Sequence, residues 1–200
     1  YATSPLTLGS VGRVLGLNPI DLVLGWPTDG APLVASSGNQ NEIDQARQLV
    51  TSLDRCYVID SLTIAELVNL DCAQALSIFN HLVCSTHTLM LLEHAHEEAL
   101  EDSSTGTLAY RSGSIDLIEH DAKQKLSRVE LLARMIEVVH NHCRVVPGYG
   151  STNLPDNLRM YQEVLSYEEF STLLLVDEYD GHLLTLDGRL AHICHEIFNK

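Results

Sequence analysis

The chain has 200 residues, of which 45% are apolar, 12 are basic and 27 are acidic, for a formal net charge of −15. That length and apolar content suit one substantial core with an appendage and not two full domains. A surface of this sign repels phosphate backbones at long range, so avid nucleic-acid binding by the bare domain is excluded unless divalent ions, a basic rim such as Arg111, Lys123, Lys125 and Arg189, or a partner supplies positive charge.

No apolar run approaches the roughly 18 to 20 residues needed to cross a bilayer, so no membrane partner is expected. The five cysteines, Cys56, Cys72, Cys84, Cys143 and Cys194, lack paired spacing and suit a reducing cytosol; Cys84 reads as a core residue. The first residue is Tyr1 and not Met, which suits a part of a longer protein.

In chain order, Leu6, Leu8, Val11, Val14 and Leu15 predict a helix within residues 4–17, and Asn18-Pro19 starts a second short helix through Leu24. Residues 1–41 form an expected N-terminal extension packed on the core, and residues 42–200 the main domain. Ile43, Ala46, Leu49, Val50 and Leu53 predict a helix leading into a first core strand at Cys56-Tyr57-Val58-Ile59, which ends at Asp60. A helix follows from Leu62, with a break near Asn69.

A second strand is expected from His81, and then a helix whose Leu89 to Leu92 stripe belongs in the core or a subunit interface. Gly106 to Ile118 alternates around Ser112-Gly113 and predicts a small hairpin insertion near residues 105–118. Residues 121–142 predict a long helix with Leu126, Val129, Leu132, Ala133, Ile136 and Val139 on one face, followed by a third strand over Arg144 to Pro147 and a loop to Asn157. Helices over 158–165 and 167–179, a fourth strand over 183–186 and a helix over 189–198 close the chain. This alternation predicts an α/β three-layer sandwich around a parallel sheet of about four to five strands with right-handed crossovers.

Three acids stand out by position: Asp60 at the end of one strand, Asp187 at the end of another, and Glu169 at the start of the helix between them. Each also suits a helix N-terminus, where Asp caps the backbone and Glu complements the dipole. Their joint placement at one sheet edge also points to a metal site, because neighbouring carboxylates repel unless a cation lies between them.

Tyr57-Val58-Ile59-Asp60, the strand-to-helix step at Cys84 to Leu92, and Glu169 followed by Leu174, Leu175, Gly181 and Leu184-Thr185-Leu186-Asp187 together resemble a PIN domain over residues 42–200. The extension, hairpin and long helix are similar to PIN modules at the ends of large bacterial proteins with tetratricopeptide repeats. The resemblance implies a nuclease that hydrolyses RNA with Mg²⁺ or Mn²⁺ held by Asp60, Glu169 and Asp187, while Thr185 orients Asp187 or a metal-bound water. It also implies partners: RNA or another single-stranded nucleic acid, and other domains of a parent chain; a second copy, forming a homo-oligomer, is expected only if the Leu89 to Leu92 stripe is a subunit interface.

The family's further acid, early in the helix after the second strand, falls here on Met90 or Leu91. Glu93 is the nearest replacement, about two residues late and so turned well off the expected face at roughly 100° per residue. A module without that acid serves as a binding or scaffolding domain, the alternative reading. The histidine groups at 94–96, 140–142 and 192–195 offer one chelating pair, His192 with His195, without a second pair at zinc-finger spacing. Phosphate-loop, dinucleotide-fold and nucleophile-elbow motifs are absent.

Overall fold

The computed structural model describes residues 6–24, 40, 43–44, 47–48, 54–101, 106–111, 114–119, 122–149, 154 and 156–199. Four strands, β1 (Cys56–Ile59), β2 (His81–Ser85), β5 (Arg144–Val146) and β6 (His182–Leu184), form a sheet in the order β5-β2-β1-β6 with every pairing parallel. The two strands between them in the chain, β3 (Gly106–Arg111) and β4 (Ser114–Glu119), pair only with each other as an antiparallel hairpin, as the alternation around Ser112-Gly113 predicts.

Side chains of a strand alternate between faces, and β1 and β2 divide two apolar clusters on that rule. Tyr57, Ile59, Leu82 and Cys84 face one layer, with Ile64, Ala65 and Val68 of α3 (Ser61–Asn69), Leu92 and Ala95 of α4 (Thr86–Glu101), and Leu132, Met135 and Val139 of α5 (Ala122–His142). Val58 and Val83 face the other, with Leu173 to Val176 of α7 (Tyr167–Glu178) and Leu190, Ile193 and Cys194 of α8 (Gly188–Phe198). The chain is therefore the three-layer α/β sandwich its periodicity predicts.

Several boundaries differ from expectation. The run after Asp60 breaks where predicted: α3 stops at Asn69, Asp71 takes a left-handed φ of 56°, and residues 73–78 form a 3-10 turn. The α5 face is rotated, so that Met135 is buried in place of Ala133 and Leu126 is 62% exposed. In the 89–92 stripe, Leu92 is fully buried and Leu89 and Leu91 are partly so, but Met90 is 61% exposed. The helix expected over 158–165 is the shorter α6 (Asp156–Met160), continued by turns, and β6 stops at Leu184, leaving Thr185 and Leu186 in a connection before Asp187.

The N-terminal residues form α1 (Leu8–Leu15) and α2 (Pro19–Leu24). Ile20 of α2 is fully buried in the first cluster, and Asp21 pairs with Arg128 of α5 at 2.9 Å. Helix α1 behaves differently: it buries Leu8, Gly9, Ser10 and Gly12 and leaves Val14, Leu15 and Leu17 exposed. It docks by its first turn of mainly small residues and not by an apolar stripe. Most of the helix expected over residues 42–53 lies outside the described residues, as do the side chains of Arg111 and Lys123.

Candidate active site

Parallel strands gather their following turns at one edge, and here that edge holds four buried acids: Asp60, Glu168, Glu169 and Asp187. Each is held by N–H or O–H donors that the local fold supplies.

Asp60 directly follows β1 and caps α3, its Oδ1 accepting from the Thr63 N–H at 2.8 Å. Its Oδ2 accepts from the Thr185 hydroxyl. Thr185 also accepts from the Asp187 N–H at 3.0 Å, and Thr63 Oγ1 accepts from Leu186 N–H at 3.0 Å. These bonds stitch the turn after β6 onto the start of α3. Asp187 caps α8 through Oδ1, which accepts from the N–H groups of Arg189 and Leu190.

Glu169 closes a reciprocal capping box on α7: the Ser166 hydroxyl accepts from the Glu169 N–H, and Glu169 Oε2 accepts from the Ser166 N–H at 2.9 Å. Its neighbour Glu168 turns toward Asp60. Glu168 Oε1 accepts from the Ser61 N–H at 3.0 Å and from the Thr88 hydroxyl at 3.0 Å. Thr88 lies in the first turn of α4, so Glu168 reaches from α7 into the region where the resemblance expects an acid from α4. Spacing alone singles out Glu169; the Ser166-x-x-Glu169 box, which assigns Glu169 to the cap, is the signal by which Glu168 is found.

Glu93 stays away from this group. It is exposed on α4, whose fully buried Leu92 and buried Thr88 define the inward face. Of the histidine pair, His192 meets Glu196 at 3.1 Å.

The remaining donors come from α1. The Leu8 N–H donates to Asp187 Oδ2 at 2.7 Å and the Gly9 N–H donates to Glu169 Oε1 at 2.9 Å. A side chain at Gly9 would overlap the Glu169 carboxyl group where it now lies, so with glycine replaced one of the two must shift.

Burial dominates the electrostatics. It raises Asp60, with hydrogen bonds from Thr185 and Thr63 opposing and Asp187 adding to the rise. It raises Glu169 against donors from Ser166 and Thr7, again with Asp187 adding. Glu168 is pushed up to about 8, first by burial and then by the charges of Asp60 and Glu169.

Carboxylate and hydroxyl oxygens are the donor chemistry of Mg²⁺ and Mn²⁺, hard cations that take oxygen ligands. The Ser61 hydroxyl, beside Asp60 in the chain, is fully buried and has no hydrogen-bonding partner, an orphan next to the acids that suits a site for a hydrated ion. The donor set therefore fits such a cation. Among the described residues, however, no three Asp, Glu, His or Cys side chains are placed closely enough to hold one.

Residues 58–196 match the family model described as a PIN domain associated with the TPR-GreAB-C-PIN system. The chain belongs to this PIN family. The match spans both acid-bearing strand ends and α7, so the four acids lie within the domain. Comparison with curated proteins and with solved structures gives no match. Among the described residues no helix of this PIN domain is long and apolar enough to cross a membrane.

Proposed function

We propose that this PIN domain is a metal-dependent nuclease that hydrolyses RNA phosphodiester bonds, with Asp60, Glu168, Glu169 and Asp187 as the carboxylates that hold Mg²⁺ or Mn²⁺. The observation that carries the reading is the burial of these four acids at the C-terminal edge of the parallel sheet, two of them on strand-following turns and two on the first turn of α7. Structural carboxylates do not need to share one buried edge; a cation-binding set does.

A bound divalent ion supplies a Lewis acid for the phosphoryl oxygen and a water of lowered pKa. The chain's own residues prepare that edge. Thr63 and Thr185 fix both oxygens of Asp60, Thr185 ties Asp60 to the backbone of Asp187, and Thr88 fixes Glu168. Glu168, at about 8, holds a proton near neutral pH when no cation is present. Glu168 takes the place of the acid absent at Met90 and Leu91, which removes the main ground for the scaffolding alternative.

The net charge of −15 calls for a partner that presents the RNA, and the tetratricopeptide-bearing part of the system named by the family suits that task. The test is cleavage of 5′-labelled single-stranded RNA in millimolar Mn²⁺. Asp60→Asn retains the α3 cap but loses charge, so cleavage should fall by more than about a hundredfold, beyond what loss of an outer-shell partner costs a metal site. Cleavage that survives both this substitution and chelator would overturn the reading.

A further inference from the structure

We propose that α1 is an internal plug that takes the place of the cation, so that helix docking and metal binding at the four acids exclude each other. The proposal rests on the reading of those acids as the metal site and adds how that site is controlled.

Four observations carry it. First, the contact is made by the positive end of a helix: Leu8 and Gly9, the first two residues of α1, direct their N–H groups at Asp187 and Glu169. The unpaired N–H groups of a helix start and the aligned peptide dipoles amount to roughly half a positive charge, a substitute for an ion between two carboxylates. Second, the fit is specific. Gly9 leaves no space for a side chain against Glu169, and the Thr7 hydroxyl, which caps α1, accepts from the Ser10 N–H.

Third, the N–H groups that hold the four acids come from two sides. Asp60 and Glu168 are held by the N–H groups of α3, Glu169 and Asp187 by those of α1, and no three of them form an ion-holding group. Fourth, the plug is built to come off. An isolated helix of eight residues is marginal in water, and this one leaves Val14 and Leu15, with Leu17 just beyond its end, in solvent. Beyond the carboxylates and the single buried apolar side chain of Leu8, its anchors to the rest of the fold include polar bonds to the turn before α7: Ser10 Oγ to the Val164 carbonyl at 2.7 Å, and Arg13 to the carbonyls of Glu163 and Leu165. Segments held by few apolar contacts open at low free energy.

A plug of this kind lowers apparent metal affinity by the fraction of molecules in which it is open. The experiment measures Mn²⁺ binding calorimetrically on the full chain, with Asp60→Asn as the control for the site itself. Two variants weaken the plug independently: Gly9→Leu, which puts a side chain where the Glu169 carboxyl now lies so that the Gly9 N–H and Glu169 must part, and Ser10→Ala/Arg13→Ala, which removes the anchors to the 163–165 turn without touching an acid.

Each should bind Mn²⁺ at least about tenfold more tightly than the wild type. In parallel, amide hydrogen exchange at Leu8 and Gly9 should be slow in the metal-free wild type and should accelerate on saturation with Mg²⁺. Equal affinities in wild type and the folded double variant, with Leu8 and Gly9 still protected at saturating Mg²⁺, would overturn the plug and leave the metal site standing. Absence of binding in every variant, with heats matching those of Asp60→Asn, would overturn the metal site first and the plug with it.

Discussion

The Thr88 hydroxyl donates to Glu168 Oε1 at 3.0 Å, joining the first turn of α4 to the first turn of α7 across the edge of the sheet. That bond places Glu168, and not Glu93, beside Asp60. Glu168→Gln should therefore weaken Mn²⁺ binding by at least about tenfold, the lower bound for disturbing a ligand's surroundings. Glu93→Gln, on the exposed side of α4, should leave it unchanged. Calorimetric titration of the two variants side by side decides between these acids; a loss of binding in Glu93→Gln would reverse the assignment.

The raised Glu168 makes stability depend on pH in the metal-free protein. Its ordinary value is 4.5 and its folded value about 8, so between them the folded state binds more protons than the unfolded one. Stability then falls as pH rises, being fully present below about 4.5 and lost as pH passes 8. Asp60 and Glu169, also raised, act in the same direction. Urea denaturation in chelator should give a lower midpoint at pH 8 than at pH 5.5, and Glu168→Gln should flatten that slope. A midpoint that rises across this range would contradict the burial of an uncompensated carboxylate here.

Gly148 follows β5 where the chain passes α7. A Cβ there would stand 2.7 Å from the Ser171 carbonyl oxygen and 3.4 Å from the Leu174 Cβ, and neither neighbour is the free end of a flexible side chain. Gly148→Ala must push the connection away from the helix, at a cost of about 1 to 3 kcal/mol in the manner of an overpacked interior. Gly16→Ala has open space and differs only in its left-handed φ of 66°, so it should cost about 1 kcal/mol or a little more. Thermal unfolding of the two variants measures the difference.

How much of this was legible in the sequence depends on whether the signal was local. The β1 and β2 strands declare themselves as short apolar runs, and Asp60, Glu169 and Asp187 by their place at element ends; Asp60 and Asp187 cap helices and Glu169 closes a capping box, all at one edge. The rotation of α5 was not legible, because Ala133 and Met135 both lie within an apolar stripe and only contact with α3 and α4 chooses between them. Glu168 was hidden by its neighbour, since separation from Asp187 cannot tell one of two adjacent acids from the other. The docking of α1 onto the acids had no periodic signature: that contact is made by two backbone N–H groups, which every sequence possesses, and the glycine at position 9 is a faint hint of it.

Asp187 serves two helices through different oxygens, and substitution can separate the two duties. Oδ1 caps α8 at Arg189 and Leu190, while Oδ2 receives the Leu8 N–H of α1. Asn keeps an acceptor for the α8 cap but turns an NH₂ donor toward the Leu8 N–H, and two donors facing each other cannot bond. Asp187→Asn should therefore loosen α1, seen as faster amide exchange at Leu8 and Gly9, with exchange in α8 unchanged. Asp187→Ala removes both acceptors. It should be less stable than Asp187→Asn by about 1 kcal/mol, the usual value of a helix cap, and its first α8 turn should exchange faster as well. Equal stabilities for the two variants in urea would show that α8 does not depend on its cap. In that case the burial of Asp187 would be owed to α1 and the acids alone.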